Sequence, residues 1–194
     1  MKLLFGLGNP GDRYVETRHN VGIALVDQFA RQADLIFARR PDLHSLLARE
    51  SDLLIAKPTT FMNNAGQAAS ALVQWYKLVP AELVVVHDDL DVPLGEVRRK
   101  FGGGTAGHNG VASVAYHLTS SDFWRIRIGI GPHDPMRVAQ RTTDTAGFVL
   151  APFQTDERAV AEAVMTMVCS QLDSWLLDPK EAIDRVKGLN GEKT

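Results

Sequence analysis

The chain has 194 residues, 45% hydrophobic and 23% charged, with a formal net charge of -2 and one cysteine, Cys169. That length and composition support one sizeable core and exclude a disordered chain, while a single thiol excludes an internal disulfide framework and a cysteine-rich zinc site. A net charge near zero also excludes a protein that coats nucleic acid by summed positive charge.

One domain over residues 1–194 is expected, in a reducing, cytoplasmic setting. The first twenty residues lack the charged start and long apolar run of an export signal, and no apolar stretch approaches the roughly 18–20 residues of a membrane span, so no membrane partner is expected. Charge is unevenly spread. Residues 93–141 hold seven Lys/Arg against three acids, a balance of +4, whereas residues 150–194 hold eight acids and five bases. A small basic patch able to meet phosphate stands beside the plainer reading of scattered solvated charge.

In chain order, Leu3, Leu4, Phe5 and Leu7 read as a short buried strand that enters a Gly/Asn/Pro turn carrying Asn9. Tyr14, His19 and Asn20 follow. The stripe Val21, Leu25, Val26, Phe29, Ala30 predicts a helix over 20–33 with Asn20 as its N-cap. Residues 39–52 are polar. Leu53–Lys57 reads as a second buried strand stopped by Pro58, and the polar loop 59–64, with Phe61, Met62 and Asn63, leads into a helix over 66–78. Leu83–His87 is apolar throughout, as a central strand should be, and it ends in Asp88-Asp89-Leu-Asp91.

Glu96–Phe101 predicts a basic, more exposed strand, and Gly102–Gly110 a glycine loop opening a helix over 111–118. Trp124–Ile130 alternates as a half-buried strand with Arg125 and Arg127 on one face. The two strands are expected to be antiparallel. Residues 131–147 read as a long irregular loop, 154–177 as an apolar-striped helix, and 179–187 as a short closing helix. Alternating strands and helices predict an α/β fold: a three-layer sandwich with a twisted, mixed, mostly parallel sheet flanked by helices on both faces.

Gly6-Leu-Gly-Asn-Pro-Gly11 matches a dinucleotide fingerprint, but in that motif the helix starts inside the glycines, and here the stripe starts about nine residues later with no acid at the required distance. The match reads as accidental, and no nucleotide cofactor is expected. Gly102–Gly107 has P-loop spacing yet continues His108-Asn109 where Lys and Ser/Thr are needed. A G-x-S-x-G elbow is absent, Cys169 sits in a core pattern, and the six histidines show no metal-ligand spacing, so no metal is expected.

What remains is a set drawn from three strand ends: Asn9 and His19 after the first, Asn63 after the second, Asp88 after the third. The carboxyl ends of parallel strands form one rim, so these loops should converge. A lone histidine is more often a hydrogen-bonded surface or core residue. With Asp88 to orient it and two Asn amides to hold a carbonyl, His19 could instead take a proton from water.

At these residues the sequence resembles bacterial peptidyl-tRNA hydrolases. The resemblance rests on Gly6-Leu-Gly-Asn-Pro-Gly, Tyr14, Thr17-Arg-His-Asn-Val-Gly, Lys57-Pro-Thr-Thr-Phe-Met-Asn63, His87-Asp-Asp-Leu-Asp-Val-Pro, Gly107-His-Asn-Gly and Arg125-Ile-Arg-Ile-Gly-Ile-Gly, which span residues 3–131 in family order. It implies cleavage of the ester between peptide and tRNA, with His19 as general base, Asp88 stabilising its proton-accepting form, and Asn9 distinguishing N-blocked substrates. It further implies that Tyr14, Phe61, Asn63 and Asn109, with Met62 and His108 beside them, line the site for the tRNA 3′ end and peptide. Lys100 and Arg127, with Arg98 nearby, would hold tRNA phosphate. The partner the resemblance implies is peptidyl-tRNA, met at its acceptor stem and 3′ end by a monomer. Two stretches depart from the family pattern: residues 39–52, and Pro132-His-Asp-Pro with Arg137–Thr145. A non-catalytic RNA-binding module and a nicotinamide-dependent enzyme stay as alternatives, separable by turnover and by NAD binding.

Overall fold

The structure, a computed structural model, describes residues 1–131 and 144–185. Its strands are β1 (Lys2–Gly6), β2 (Ala38–Arg40), β3 (Ser45–Glu50), β4 (Leu53–Pro58), β5 (Leu83–Pro93), β6 (Glu96–Phe101), β7 (Trp124–Gly131) and β8 (Ala182–Arg185). The helices are α1 (Val21–Gln32), α2 (Ala65–Trp75), α3 (Asn109–Leu118), α4 (Thr145–Leu150) and α5 (Thr155–Leu177). Among the described residues, the eight strands join one sheet in the order β2-β3-β4-β1-β5-β7-β6-β8. The centre, β4-β1-β5-β7, is parallel, and both flanks are antiparallel.

The apolar runs explain the centre. Leu3, Phe5, Leu54, Ala56, Leu83 and Val85 pack beneath α2 and α3, while Leu4, Ile55, Val84 and Val86 pack beneath α1 and α5. Successive side chains enter opposite layers, so a strand buried on both faces has no polar alternation. The expected three-layer α/β sandwich is therefore what forms.

Close approach at the sheet's rim explains two glycines, Gly6 of the opening motif and Gly22 of α1. A Cβ at Gly22 would strike the carbonyls of Val86 and Leu7, and one at Gly6 the carbonyl of Gly22. The start of α1 thus lies backbone to backbone on the end of β1.

Several expectations need correction. The polar stretch 39–52 holds β2 and β3, with Leu43, Ser45, Leu47 and Ala48 buried. The strand begun at Leu83 continues to Pro93. The Trp124 strand is antiparallel to β6 but parallel to β5, and it is largely buried on both faces, Arg125 included. Asn20 makes no capping bond to α1. Of the loop expected over 131–147, Gly131 belongs to β7 and residues from Thr145 to α4; residues 132–143 lie outside the described residues. The closing helix over 179–187 is replaced by β8, whose Asp184 and Arg185 pair with Arg99 and Glu96 of β6. Residues 186–187 lie outside the described residues.

Candidate active site

Beyond β1 the chain keeps its course to Asn9, and there the side chain of Asn20 clasps the backbone. Asn9 N donates to Asn20 Oδ1 (2.8 Å) and Asn20 Nδ2 donates to Asn9 O (2.9 Å). This two-point clasp explains why Asn20 caps nothing: its amide is committed across the loop. Asn9, fixed in this way, accepts the backbone N–H of Met62 on Oδ1 (2.9 Å), which ties the loop after β4 to the loop after β1. Its Nδ2 has no partner among the described residues.

The turn Arg18–Asn20 places His19 over Asp88 of β5. His19 Nδ1 lies 2.9 and 3.0 Å from the two oxygens of Asp88, whose side chain is 2% exposed. His108 Nε2 is 2.9 Å from the same Asp88 Oδ1. The tautomers follow from the partners. His108 Nδ1 accepts the N–H groups of Gly110 (3.1 Å) and Val111 (3.3 Å), capping α3, so its proton sits on Nε2 and is donated to Asp88. An ionised carboxylate only accepts, so His19 donates from Nδ1, and its Nε2 has no hydrogen-bond partner among the described residues.

Burial works to raise the pKa of Asp88, but the charge and hydrogen bond of His108, followed by those of His19, outweigh it. The carboxyl is held well below the usual range. Behind it, His87 donates from Nδ1 to the backbone carbonyl of Asp88 (2.7 Å) and meets the His108 ring edge-on at 4.8 Å. Burial, and then the neighbouring His108 charge, push His87 down to about 3. It is a neutral ring whose buried Nε2 has no hydrogen-bond partner among the described residues.

Histidines that show no metal-ligand spacing along the chain thus meet in space: His19, His87 and His108 converge on Asp88. Donor atoms of His19, Asp88 and His108 lie within 4.8 Å of one another, the spacing of a metal site. Both imidazole N–H groups, however, already point at the carboxylate at hydrogen-bond distance.

Around this centre Tyr14 meets the exposed Phe61 edge-on at 6.3 Å. Asn63 and Asn109 are exposed, with no side-chain partners among the described residues. Met62 is placed differently: its side chain is buried in the core against Gly110, and it serves the site through its backbone. The β6–β7 register, Arg98 opposite Arg127 and Lys100 opposite Arg125, puts four bases on one sheet face. Arg127 pairs with Asp89 (2.7 Å) and Arg98 with Glu96 (2.7 Å), while Lys100 has no ion pair among the described residues. Arg125 is buried and holds the carbonyls of Gly102 and Gly104, so it shapes the glycine loop.

The profile of the family described as peptidyl-tRNA hydrolase matches residues 3–194. The chain belongs to that family. Among curated peptidyl-tRNA hydrolases, that of Coxiella burnetii is 49% identical over 130 residues, covering 67% of this chain and 70% of its own length. The one from Cupriavidus metallidurans is 43% identical over 171 residues, covering 84% and 86%. The crystal structure of peptidyl-tRNA hydrolase from Acinetobacter baumannii superposes with a TM-score of 0.81 at 31% identity, covering 91% of this chain and 89% of that one. A peptidyl-tRNA hydrolase crystallised with n-propanol gives 0.80 at 32% identity, covering 91% and 88%.

Within this peptidyl-tRNA hydrolase frame, sequence reasoning missed four residues: Arg18, Asn20 as a clasp, His87, and Arg125 as the loop's anchor. Each is a buried polar group, and the partners of Arg18 lie some 130–139 residues away. The one available signal was adjacency, since Arg18 and Asn20 flank His19 and His87 precedes Asp88.

Proposed function

We propose that His19 is the general base of the peptidyl-tRNA hydrolysis this chain carries out, with Asp88 orienting it. The observation that carries this reading is the pair of contacts from His19 Nδ1 to the buried Asp88 carboxylate, at 2.9 and 3.0 Å. Nδ1–H is committed, so Nε2 faces a water molecule with its lone pair. Nε2 takes a proton as the water oxygen attacks the ester carbonyl carbon. The imidazolium so formed is stabilised by a carboxylate that remains ionised, and it returns its proton to the ribose oxygen as the carbon–oxygen bond breaks. The products are a free peptide acid and tRNA.

His108 gives Asp88 its second hydrogen bond from Nε2, while its Nδ1 caps α3. The uncommitted amide N–H groups of Asn9, Asn63 and Asn109 hold the ester carbonyl and its oxyanion, and Asn9 favours N-blocked substrates. Tyr14 and Phe61 offer ring faces to the 3′ end or the peptide. Lys100, with the anchored Arg98 and Arg127, meets phosphate of the acceptor stem, reading backbone more than bases. Residues 1–194 act as one catalytic domain, as a cytoplasmic monomer without metal or nucleotide cofactor; among the described residues no helix is long and apolar enough to cross a membrane.

The experiment is hydrolysis of a labelled N-acetylated aminoacyl-tRNA by purified protein in chelator. Turnover by the wild type with loss in His19→Ala supports the reading. RNA binding without turnover would favour a binding module instead.

A further inference from the structure

The residue before the base is almost wholly buried, although it is an arginine. Arg18 is 3% exposed, and its guanidinium is enclosed by one short segment far along the chain. It donates to the carbonyls of Phe148 (3.2 Å) and Ala151 (3.3 Å) and pairs with Glu157 Oε2 (2.5 Å). Its Cζ lies 4.3 Å from the Phe148 ring centroid and 5.5 Å from that of Phe153. The backbone repeats the attachment, with Arg18 N donating to Ala151 O (3.1 Å) and Thr17 bridging Pro152. Glu157 is itself fixed, since it also accepts the N–H of Gln154 at the start of α5.

A buried ion pair is weak evidence for stability, because desolvation consumes most of its attraction. What such a planar fork supplies is direction: three acceptors and two ring faces are satisfied by one orientation of Arg18. Its two flanking faces differ in kind. On one side Asn20 clasps Asn9, and on the other Thr17 and Arg18 clasp residues 148–157, so His19 stands on a turn gripped at both ends.

We propose that Arg18 is a positioning residue for the general base: anchored by Phe148, Phe153 and Glu157, it holds the Arg18–Asn20 turn so that His19 Nδ1 spans both oxygens of Asp88. The residues between 148 and 157 are then part of the catalytic apparatus although none touches the reacting atoms. This inference rests on His19 being the base.

The test compares Arg18→Lys with wild type on N-acetylated aminoacyl-tRNA, together with the imidazole Nδ1–H resonance of His19 by NMR. Lysine keeps the charge but cannot satisfy three acceptors and two rings at once. The expected result is a kcat at least about tenfold lower with KM within about twofold, since small misplacement of a catalytic group costs rate more than binding. The His19 Nδ1–H signal shifts or is lost while the protein stays folded. Glu16→Ala removes an exposed ion pair to Arg158 that joins the same two segments, and it leaves kcat unchanged. If Arg18→Lys does not fold, Glu157→Gln and Phe148→Leu keep Arg18 and lower kcat about two- to fivefold in the same direction. A folded variant with a lower melting temperature but wild-type kcat and an unmoved His19 signal would overturn the proposal. Activity retained in His19→Ala would sink the reading beneath it, whereas inactive His19→Ala beside fully active Arg18→Lys would sink the clamp alone.

Discussion

The rim of the sheet and its β6–β7 face carry their polar groups in opposite ways. At the rim, Asp88, His108, Asn9 and Asn20 are buried or nearly so, and each is committed to a named partner at 2.8–3.3 Å. On the face, Arg98, Lys100 and Arg127 are partly exposed, two are tethered at one end to a carboxylate, and Lys100 has no ion pair among the described residues. Proton transfer demands a fixed angle and a dry carboxylate. Phosphate binding needs only charge within reach, which long side chains supply at several positions. Damage at the rim should therefore appear in kcat, and damage on the face in KM and salt dependence.

The largest departure is expected from Asp88→Asn. An amide can present its own N–H to His19 Nδ1 and favour the wrong tautomer, so kcat in a single-turnover assay should fall by about a hundredfold or more. A loss confined to KM would erase the distinction between the regions.

The face gives two smaller effects that differ from each other. Lys100→Ala should raise KM severalfold, leave kcat intact and reduce the salt slope by about one, read from binding at several salt concentrations. Arg127→Ala should do the same and also destabilise by about 1–3 kcal/mol in urea titration, because it leaves Asp89, 7% exposed, without its ion pair and with only the backbone N–H of Asp91 among the described residues. Equal stability of the two variants would mean that the Asp89 pair anchors nothing.

The smallest effect lies behind the rim and is read in stability. His87 takes a proton near 6.5 when unfolded and only near 3 when folded. Between those values the unfolded chain binds more protons, so stability rises with pH by up to one proton's slope. Asp88 and Glu96, with depressed carboxyls, act in the same sense only below their ordinary 3.8 and 4.5, which leaves about pH 4.5–6.5 to histidine. Urea titrations of His87→Gln should show a flatter dependence in that window, and an unchanged slope would remove His87 from the account.

The two regions were also unequally legible in the sequence. The central strands and their helices follow from uninterrupted apolar runs such as Leu83–Val86, and Asn9 and Asn63 from the loops after β1 and β4, whereas Asp88, expected after a strand, lies within β5, which runs on to Pro93. The hairpin β2–β3 was hidden because Leu43, Leu47 and Ala48 are diluted by Arg39, Arg40, Asp42, Arg49 and Glu50. β8 was hidden because four residues become a strand only through pairing with β6, more than eighty residues earlier, at Asp184–Arg99 and Arg185–Glu96. The commitments of Asn20, Arg18 and His87 are likewise tertiary. A local reading gave Asn20 a helix to cap, and the fold gave it the backbone of Asn9.

The most direct test of the rim's role is the pH dependence of single-turnover hydrolysis of N-acetylated aminoacyl-tRNA by wild type and His19→Ala. Asp88 stays ionised far below the working range, so an acid limb in the wild type belongs to the ring that must be neutral to accept a proton. The account predicts a wild-type rate that falls about tenfold per pH unit on its acid side, and a His19→Ala rate lower by about 10²–10⁴ without that limb. A variant that keeps the wild-type rate, or the same acid limb, would contradict it.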